Sequence, residues 1–427
     1  MNDIPKRFRS QATDRYVNYI RCASDIMLHL ELEFDTQLDF DRLAHATNLT
    51  LDAEPVLGCR FVQRWWRPYW ERLDVNNRQA FIAANNEMEY ESFKSSSIDP
   101  YTGPQLKACL WHSINGDRLL LKVAHEVADA GAVKEIASTI SSIYTRLKNE
   151  PGYQPTPNIN GCRSIWQVLR RVPVHAYPKI YFSFLRQLWA FSVPANTLVL
   201  PMEDGPNAPL VFAIRHIPSD RVSRMMEYAH LHNATLNDLL ITASFHSLAT
   251  IDESDKRKRL RLVITVDLRR YLPNGKGGGI CNLSAQDYLT LGIKIGDNFD
   301  ATLKWLSDYM RHRKANWIGI GPYLGMEPLA APLPYKLRRT AASKQSEATK
   351  RNSAPNPTNM CRIDPNTVTF DVSPIKAYLL PPPVYPPLFV YGLSGYNGTL
   401  TLSAGTYPTQ KEIVEKFFDA ILKELPA

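Results

Sequence analysis

KVAHEVADAGAVKEI, residues 122–136, ends an apolar run, passes through a short charged stretch and enters a helical one. Ahead of it, QLKACLWHSINGDRLLLKVAH (105–125) sets two apolar runs about Asn115-Gly116. Asn-Gly suits the positive φ angles of a tight hairpin, so two antiparallel strands are predicted, the second from about Arg118 to Ala124. From Gly131 onward Val133, Ile136, Ile140, Ile143 and Leu147 recur at three- and four-residue steps, the stripe of an amphipathic helix. The pattern therefore brings His125 to the exit of a strand and Asp129 to the start of a helix. A zinc helix of the H-E-x-x-H type needs a second histidine where Asp129 stands, and no other cluster has ligand spacing, so no metal site is predicted. Spacing alone leaves open a helix-capping Asp129 beside an ordinary turn histidine, or a general base at His125. Glu126 is expected to face solvent.

Working outward, 427 residues exceed one ordinary core and point to two lobes. Apolar residues at 44% and charged residues at 22% are the mix of a soluble globular protein. No stretch nears the roughly 18 apolar residues of a spanning helix. MNDIPKRFRSQATDRY (1–16) has no apolar signal core, so a cytoplasmic location is expected. The six cysteines (Cys22, Cys59, Cys109, Cys162, Cys281, Cys361) form no CxxC pair and read as reduced thiols. A net charge of +8 favours anionic partners, but no nucleic-acid-binding signature accompanies it, and no nucleic-acid partner is expected.

The second half alternates elements in the same way. NEPGYQPTPNINGC (149–162) reads as a long loop, DRVSRMMEYAHLH (220–232) and ATLNDLLITASFHSLATI (234–251) as helices, the latter capped by Thr235. RLRLVITVDL (259–268) reads as a strand, 331–357 as a mobile basic segment, and the tail as two strands about Asn397-Gly398 followed by a closing helix. Mixed strands and helices in both halves give an α/β class, in the form of α+β two-layer sandwiches. The aromatic and basic stretch 166–191 suits peripheral contact with a membrane, although its prolines argue against one continuous amphipathic helix.

HEVADA (125–130) resembles the HxxxDG signature of the chloramphenicol acetyltransferase-like superfamily. That group includes condensation domains of nonribosomal peptide synthetases, wax-ester and alcohol acyltransferases, and plant acyl-CoA-dependent acyltransferases. EPVLGCRFV (54–62), TLNDLLITA (235–243), ITVDLRRYLP (264–273), NLSAQ (282–286), TNMCRID (358–364) and VYPPLFVYGLSGYNGTLTLSAG (384–405) resemble the same group in the same order. The resemblance spans the chain and is nearest to free-standing, condensation-domain-like alcohol or wax-ester acyltransferases. Ala130 stands in place of the signature glycine, where a methyl is expected to narrow the channel, and Ala124 in place of the first histidine of the condensation form. The DFGWG motif of the plant enzymes is absent.

The resemblance implies two chloramphenicol acetyltransferase-like lobes with an active site in a tunnel between them: an N-terminal lobe (1–165), a connection (166–205) and a C-terminal lobe (206–427). His125 would be the general base and Asp129 would pair with Arg269 to orient the histidine loop. Ser394 and Asn397 would contact the oxyanion or substrate. The implied reaction moves an acyl group from a coenzyme A or acyl carrier protein thioester to an alcohol. The alternatives are amide formation between carrier-bound substrates and a catalytically silent binding protein. Coenzyme A or phosphopantetheine would enter as a cosubstrate thioester, with no tightly bound cofactor.

Overall fold

The hairpin forms as strands Leu106–Ser113 and Gly116–Ala124, paired antiparallel with Ser113 opposite Gly116. The structure is a computed structural model that describes residues 4–192, 195–196, 208–251, 259–290, 298–324, 333–349 and 354–427. The turn falls on Ile114-Asn115, one residue earlier than the Asn-Gly pair suggests. Gly116 takes a φ of +113°, and a Cβ there would lie 2.0 Å from the Phe34 carbonyl oxygen. Close passage of the neighbouring backbone, as well as the turn, requires this glycine.

The hairpin is the centre of a five-stranded sheet ordered Lys376–Leu380, Met27–Glu33, Gly116–Ala124, Leu106–Ser113, Phe81–Ala84. Helices Phe40–Ala53 and Ala130–Asn149 bury their apolar stripes against one face, with Leu28, Leu30, Leu32, Leu119, Leu121 and Ile136 in one core. A four-stranded sheet, ordered Asn356–Ile363, Val390–Tyr396, Thr399–Thr406, Val211–Ile217, belongs to a second core with helices Leu236–Ile251 and Lys411–Glu424. Asn397 and Gly398 both have positive φ, so the tail hairpin has the expected tight turn. Thr235 and Asp238 cap the helix that follows them reciprocally, each accepting from the other's backbone N–H.

The two halves of the chain interleave. Tyr335, Met360, Ile363 and Phe370 join the core of the first sheet, and strand Lys376–Leu380 pairs with Met27–Glu33 in that sheet. Part of the 206–427 stretch therefore builds the lobe begun by 1–165. One expectation is corrected. Residues 335–349 form a helix, anchored by the buried Tyr335, whose hydroxyl donates to Asn18 at 2.6 Å; 350–353 lie outside the described residues. The stretch 166–191 is not one continuous helix, in keeping with its prolines: helix Trp166–Leu169 ends ahead of Pro173, and a separate helix, Tyr177–Ser192, carries Pro178 in its first turn, where no backbone bond is lost. Its Phe182, Leu185 and Trp189 are exposed. No described helix is long and apolar enough to cross a membrane.

The opposite face of the five-stranded sheet buries charge. His29 lies directly across from Lys122, and both are essentially fully buried. Burial, then the charges of Lys122 and Lys94, hold the imidazole well below its ordinary value. The unfolded chain therefore takes up a proton as pH falls through about 6.5 and the folded chain does not, so this site drains stability on the acid side. We expect the unfolding free energy of the wild type, read by urea titration, to fall between pH 7.5 and 5.5, with His29 contributing up to about 1.4 kcal/mol per pH unit below 6.5. His216 and His246, also held below their ordinary value by burial, add to that slope, so His29→Phe should reduce it without abolishing it; an equal slope in the variant would exclude His29 as a source.

Candidate active site

His125 leaves the sheet with its backbone N–H donating to Ile26 O at 3.1 Å. The ring turns back onto its own loop, with Nδ1 2.7 Å from Ala128 O. A carbonyl oxygen only accepts, so this contact, shorter than the 3.3 Å from Nδ1 to Asn282 Nδ2, puts the proton on Nδ1, and in the neutral ring the lone pair is then on Nε2. Asn282, which is buried, donates its amide to His125 O at 3.3 Å and accepts from Ser284 N–H at 3.1 Å. It ties the histidine loop to the strand Ser284–Thr290 of the other core.

Behind the ring, Asp129 is the N-cap of helix Ala130–Asn149, its Oδ1 accepting from Ala132 N–H at 2.9 Å. Its Oδ2 accepts from Leu283 N–H at 2.6 Å and from Arg269 Nη1 at 2.8 Å. Both side chains of the Asp129–Arg269 pair are about 95% buried, at 4% and 5% exposure. Arg269 also reaches Glu135 (3.2 Å), Asp267 (3.3 Å) and Cys281 O (3.1 Å). Burial pushes the Asp129 carboxyl up, but the guanidinium and the hydrogen bonds outweigh it and hold the group below its ordinary value. Asp267 and Glu135 stand above theirs, raised first by burial and also by the Asp129 charge. Asp129 is thus both a helix cap and an ion-pair partner, so the two roles are compatible here.

His125, Asp129 and Ala130 line a cavity of about 200 Å³ between the two cores. The first helix, Ala12–Tyr19, contributes Thr13, Tyr16 and Val17. The alternating residues Ser284, Gln286 and Tyr288 contribute from one side of their strand, with Thr265 beside Gln286 in the register. Thr265 and Thr358 share a 2.5 Å hydrogen bond and also border a smaller apolar pocket lined by Leu240, Ile241 and Leu402. Sequence reading missed Gln286, Tyr16 and Thr265; period-two polarity in SAQDY (284–288) was the available signal.

The structure does not bring Ser394 or Asn397 to this cavity. Strand Val390–Tyr396 lines it through Val390; Ser394 lies roughly 13 Å further along at about 3.3 Å per residue. The Ser394 hydroxyl is buried and accepts from Leu379 N–H at 3.1 Å, a strand-to-strand tie, and Asn397 is exposed in the hairpin turn. Glu126, read as solvent-facing, is fully buried and accepts from Arg21 (2.9 Å) and Asn18 (3.2 Å). Ala130 does line the cavity, but the glycine that the site requires is Gly131. A Cβ there would come within 2.7 Å of Arg269 Nη1 and displace the guanidinium. All six cysteines are free; burial pushes Cys59, Cys109 and Cys281 up to about 12, leaving them poor nucleophiles. Among the described residues no group of three His, Cys, Asp or Glu side chains could hold a metal ion.

Two interleaved lobes with a histidine loop at their junction are the chloramphenicol acetyltransferase-like fold, shared by condensation domains and related acetyltransferases. Solved structures similar to this chain bear that out. They include trichothecene 15-O-acetyltransferase from Fusarium sporotrichioides, with a TM-score of 0.74, 10% identity, and 98% of this chain and 94% of that chain covered. The first condensation domain of the calcium-dependent antibiotic synthetase, in complex with a substrate analogue, gives 0.71, 16%, and 99% and 96%. Polyketide synthase associated protein 5 from Mycobacterium tuberculosis gives 0.66, 14%, and 97% and 96%. At these identities the likeness establishes the fold. No protein-family model and no curated protein sequence matches the chain.

Proposed function

We propose that the protein is an acyltransferase that moves an acyl group from a coenzyme A or carrier-protein thioester to an alcohol. The observation that carries this reading is the imidazole tautomer: Nδ1–H is committed to Ala128 O, leaving a basic Nε2 on a ring that lines the inter-lobe cavity. Nε2 takes the proton of the acceptor hydroxyl as its oxygen attacks the thioester carbonyl carbon. The tetrahedral oxyanion collapses, the C–S bond breaks, and the thiolate leaves with the proton from the imidazolium, giving ester and free thiol. Assistance of this kind is worth about 10²–10⁴-fold. Gln286, whose amide makes no hydrogen bond to the described residues, and the hydroxyls of Ser284 and Thr265 are the donors facing the developing charge. The similarity to an O-acetyltransferase and to condensation domains supports acyl transfer, and Ala124, in place of a second histidine, favours an alcohol acceptor over carrier-bound amide formation.

Wild-type protein offered acyl-CoA and acyl-carrier donors, each with a panel of alcohols and amines, should release thiol and yield an ester by mass spectrometry. An amide product would assign condensation instead. Absence of thiol release across the whole panel would make this a binding protein on the same fold.

A further inference from the structure

Helix Tyr177–Ser192 has two faces of opposite character. One is docked. Ile180 joins the core of the second sheet, the Ser183 hydroxyl accepts from Arg313 Nη1 at 2.7 Å, and Phe184 packs so closely on Gly321 that a Cβ there would come within 2.6 Å of it. The other face carries Tyr181, Phe182, Leu185, Leu188 and Trp189, all exposed, Phe182 at 68% and Trp189 at 70%. At about 100° per residue these five fall within one strip about 120° wide. Proteins rarely leave a contiguous apolar strip of this kind in water unless it is a contact surface.

The charge around the strip has one sign. Residues 151–202 contain no aspartate or glutamate, and Arg170, Arg171, Lys179 and Arg186 are all exposed. Lys179 and Arg186 stand about two turns apart and so share one edge of the strip. The Lys179 ammonium donates to the neutral Asn316 Oδ1 at 2.6 Å, which leaves its charge in place. A strip of aromatic and leucine side chains with a purely basic rim matches the boundary of an anionic bilayer: the rings enter the acyl edge while Lys and Arg stay with the headgroup phosphates. From this we infer that this face seats the protein on an anionic lipid surface, with the helix lying in the plane of the membrane. The helix reaches only about 24 Å and does not cross.

Its docked face leans on the back of the cavity wall. Arg313, which holds Ser183, also pairs with Asp287, and Asp287 lies between the cavity-lining Gln286 and Tyr288 on strand Ser284–Thr290. Pro322 and Tyr323, which follow Gly321, line the same cavity. The membrane seat is therefore one helix away from the reaction cavity, and it holds whether or not the acyl-transfer reading does.

Co-sedimentation with sucrose-loaded vesicles of phosphatidylcholine, with and without phosphatidylglycerol, tests the proposal. We expect wild type to bind the phosphatidylglycerol vesicles at least about 10-fold more tightly than phosphatidylcholine alone, with added salt weakening the difference. Phe182→Ser/Leu185→Ser and, separately, Arg170→Gln/Arg171→Gln/Arg186→Gln should each weaken that binding about 10-fold or more. All five positions are exposed, so the urea midpoint should not move. Bromine on the lipid acyl chains should quench tryptophan fluorescence of the wild type, and Trp189→Phe should reduce that quenching. Equal binding to both vesicles would overturn the anionic assignment. Serine-variant binding at wild-type strength, or no binding by wild type, would overturn the membrane seat itself. In the last case, self-association that rises with concentration and is lost in the serine variant would give the face to a second copy of this chain.

Discussion

Replacing His125 by alanine should slow thiol release by about 10²–10⁴-fold while leaving the urea midpoint almost unmoved. The ring is half-buried and makes its short hydrogen bond to its own loop, so little of the packing depends on it. His125→Gln is the sharper variant. Its amide can still donate to Ala128 O, but no atom of it accepts a proton near neutral pH. Both variants should therefore lose turnover alike and keep the fold alike. Thiol release at wild-type rate in either one, with matched circular dichroism, would remove His125 from the chemistry and require another base among the cavity residues.

The second large effect lies one layer behind. Arg269→Ala leaves Asp129 charged, buried and unpaired, and should cost about 3–5 kcal/mol, read as a drop in urea midpoint. Turnover should fall further than the unfolded fraction explains, because Asp129 also holds Leu283 N–H beside Asn282, which bonds to the histidine loop. Asp129→Asn/Arg269→Met should cost less than the two single changes summed, since it removes both charges together. Additive costs would mean the pair is not coupled. The acid limb carries the same signature. A carboxyl held below its ordinary value stabilises the fold above the unfolded value near 3.9, and that contribution is lost as pH falls through the folded value. Asp267 and Glu135, held above theirs, act in the opposite sense, so the acid loss assigned to Asp129 is measured as the difference between wild type and Asp129→Asn.

Much of this was legible in the sequence because local pattern and tertiary role agree there. The apolar stripe from Val133 to Leu147 is the buried face of its helix, and the strand before it delivers His125 where the alternation placed it. The Asp129–Arg269 pair spans 140 residues and no spacing rule reaches that far; the ordered resemblance supplied it. What failed, failed where contacts between distant segments override local cues. Glu126 looks solvated in a charged stretch, yet Arg21 and Asn18 arrive from the first helical segment to cover it. Ser394 and Asn397 look like donors about a polar turn, but Ser394 is buried within its strand, Asn397 lies in the turn beyond it, and that strand reaches the cavity at its other end. The basic run after 331 has little apolar signal beyond Tyr335, which docks its helix together with the partly buried Ala342 and the Arg339 bond to Gln63.

Strand Lys376–Leu380 has a mechanical consequence. It descends from the later half of the chain and is hydrogen-bonded along its length to Met27–Glu33, so the lobes are stitched together at one margin. Because that strand sits in the sheet of the first lobe, the chain on either side of it, near 364–375 and 381–389, tethers the two lobes twice on one margin.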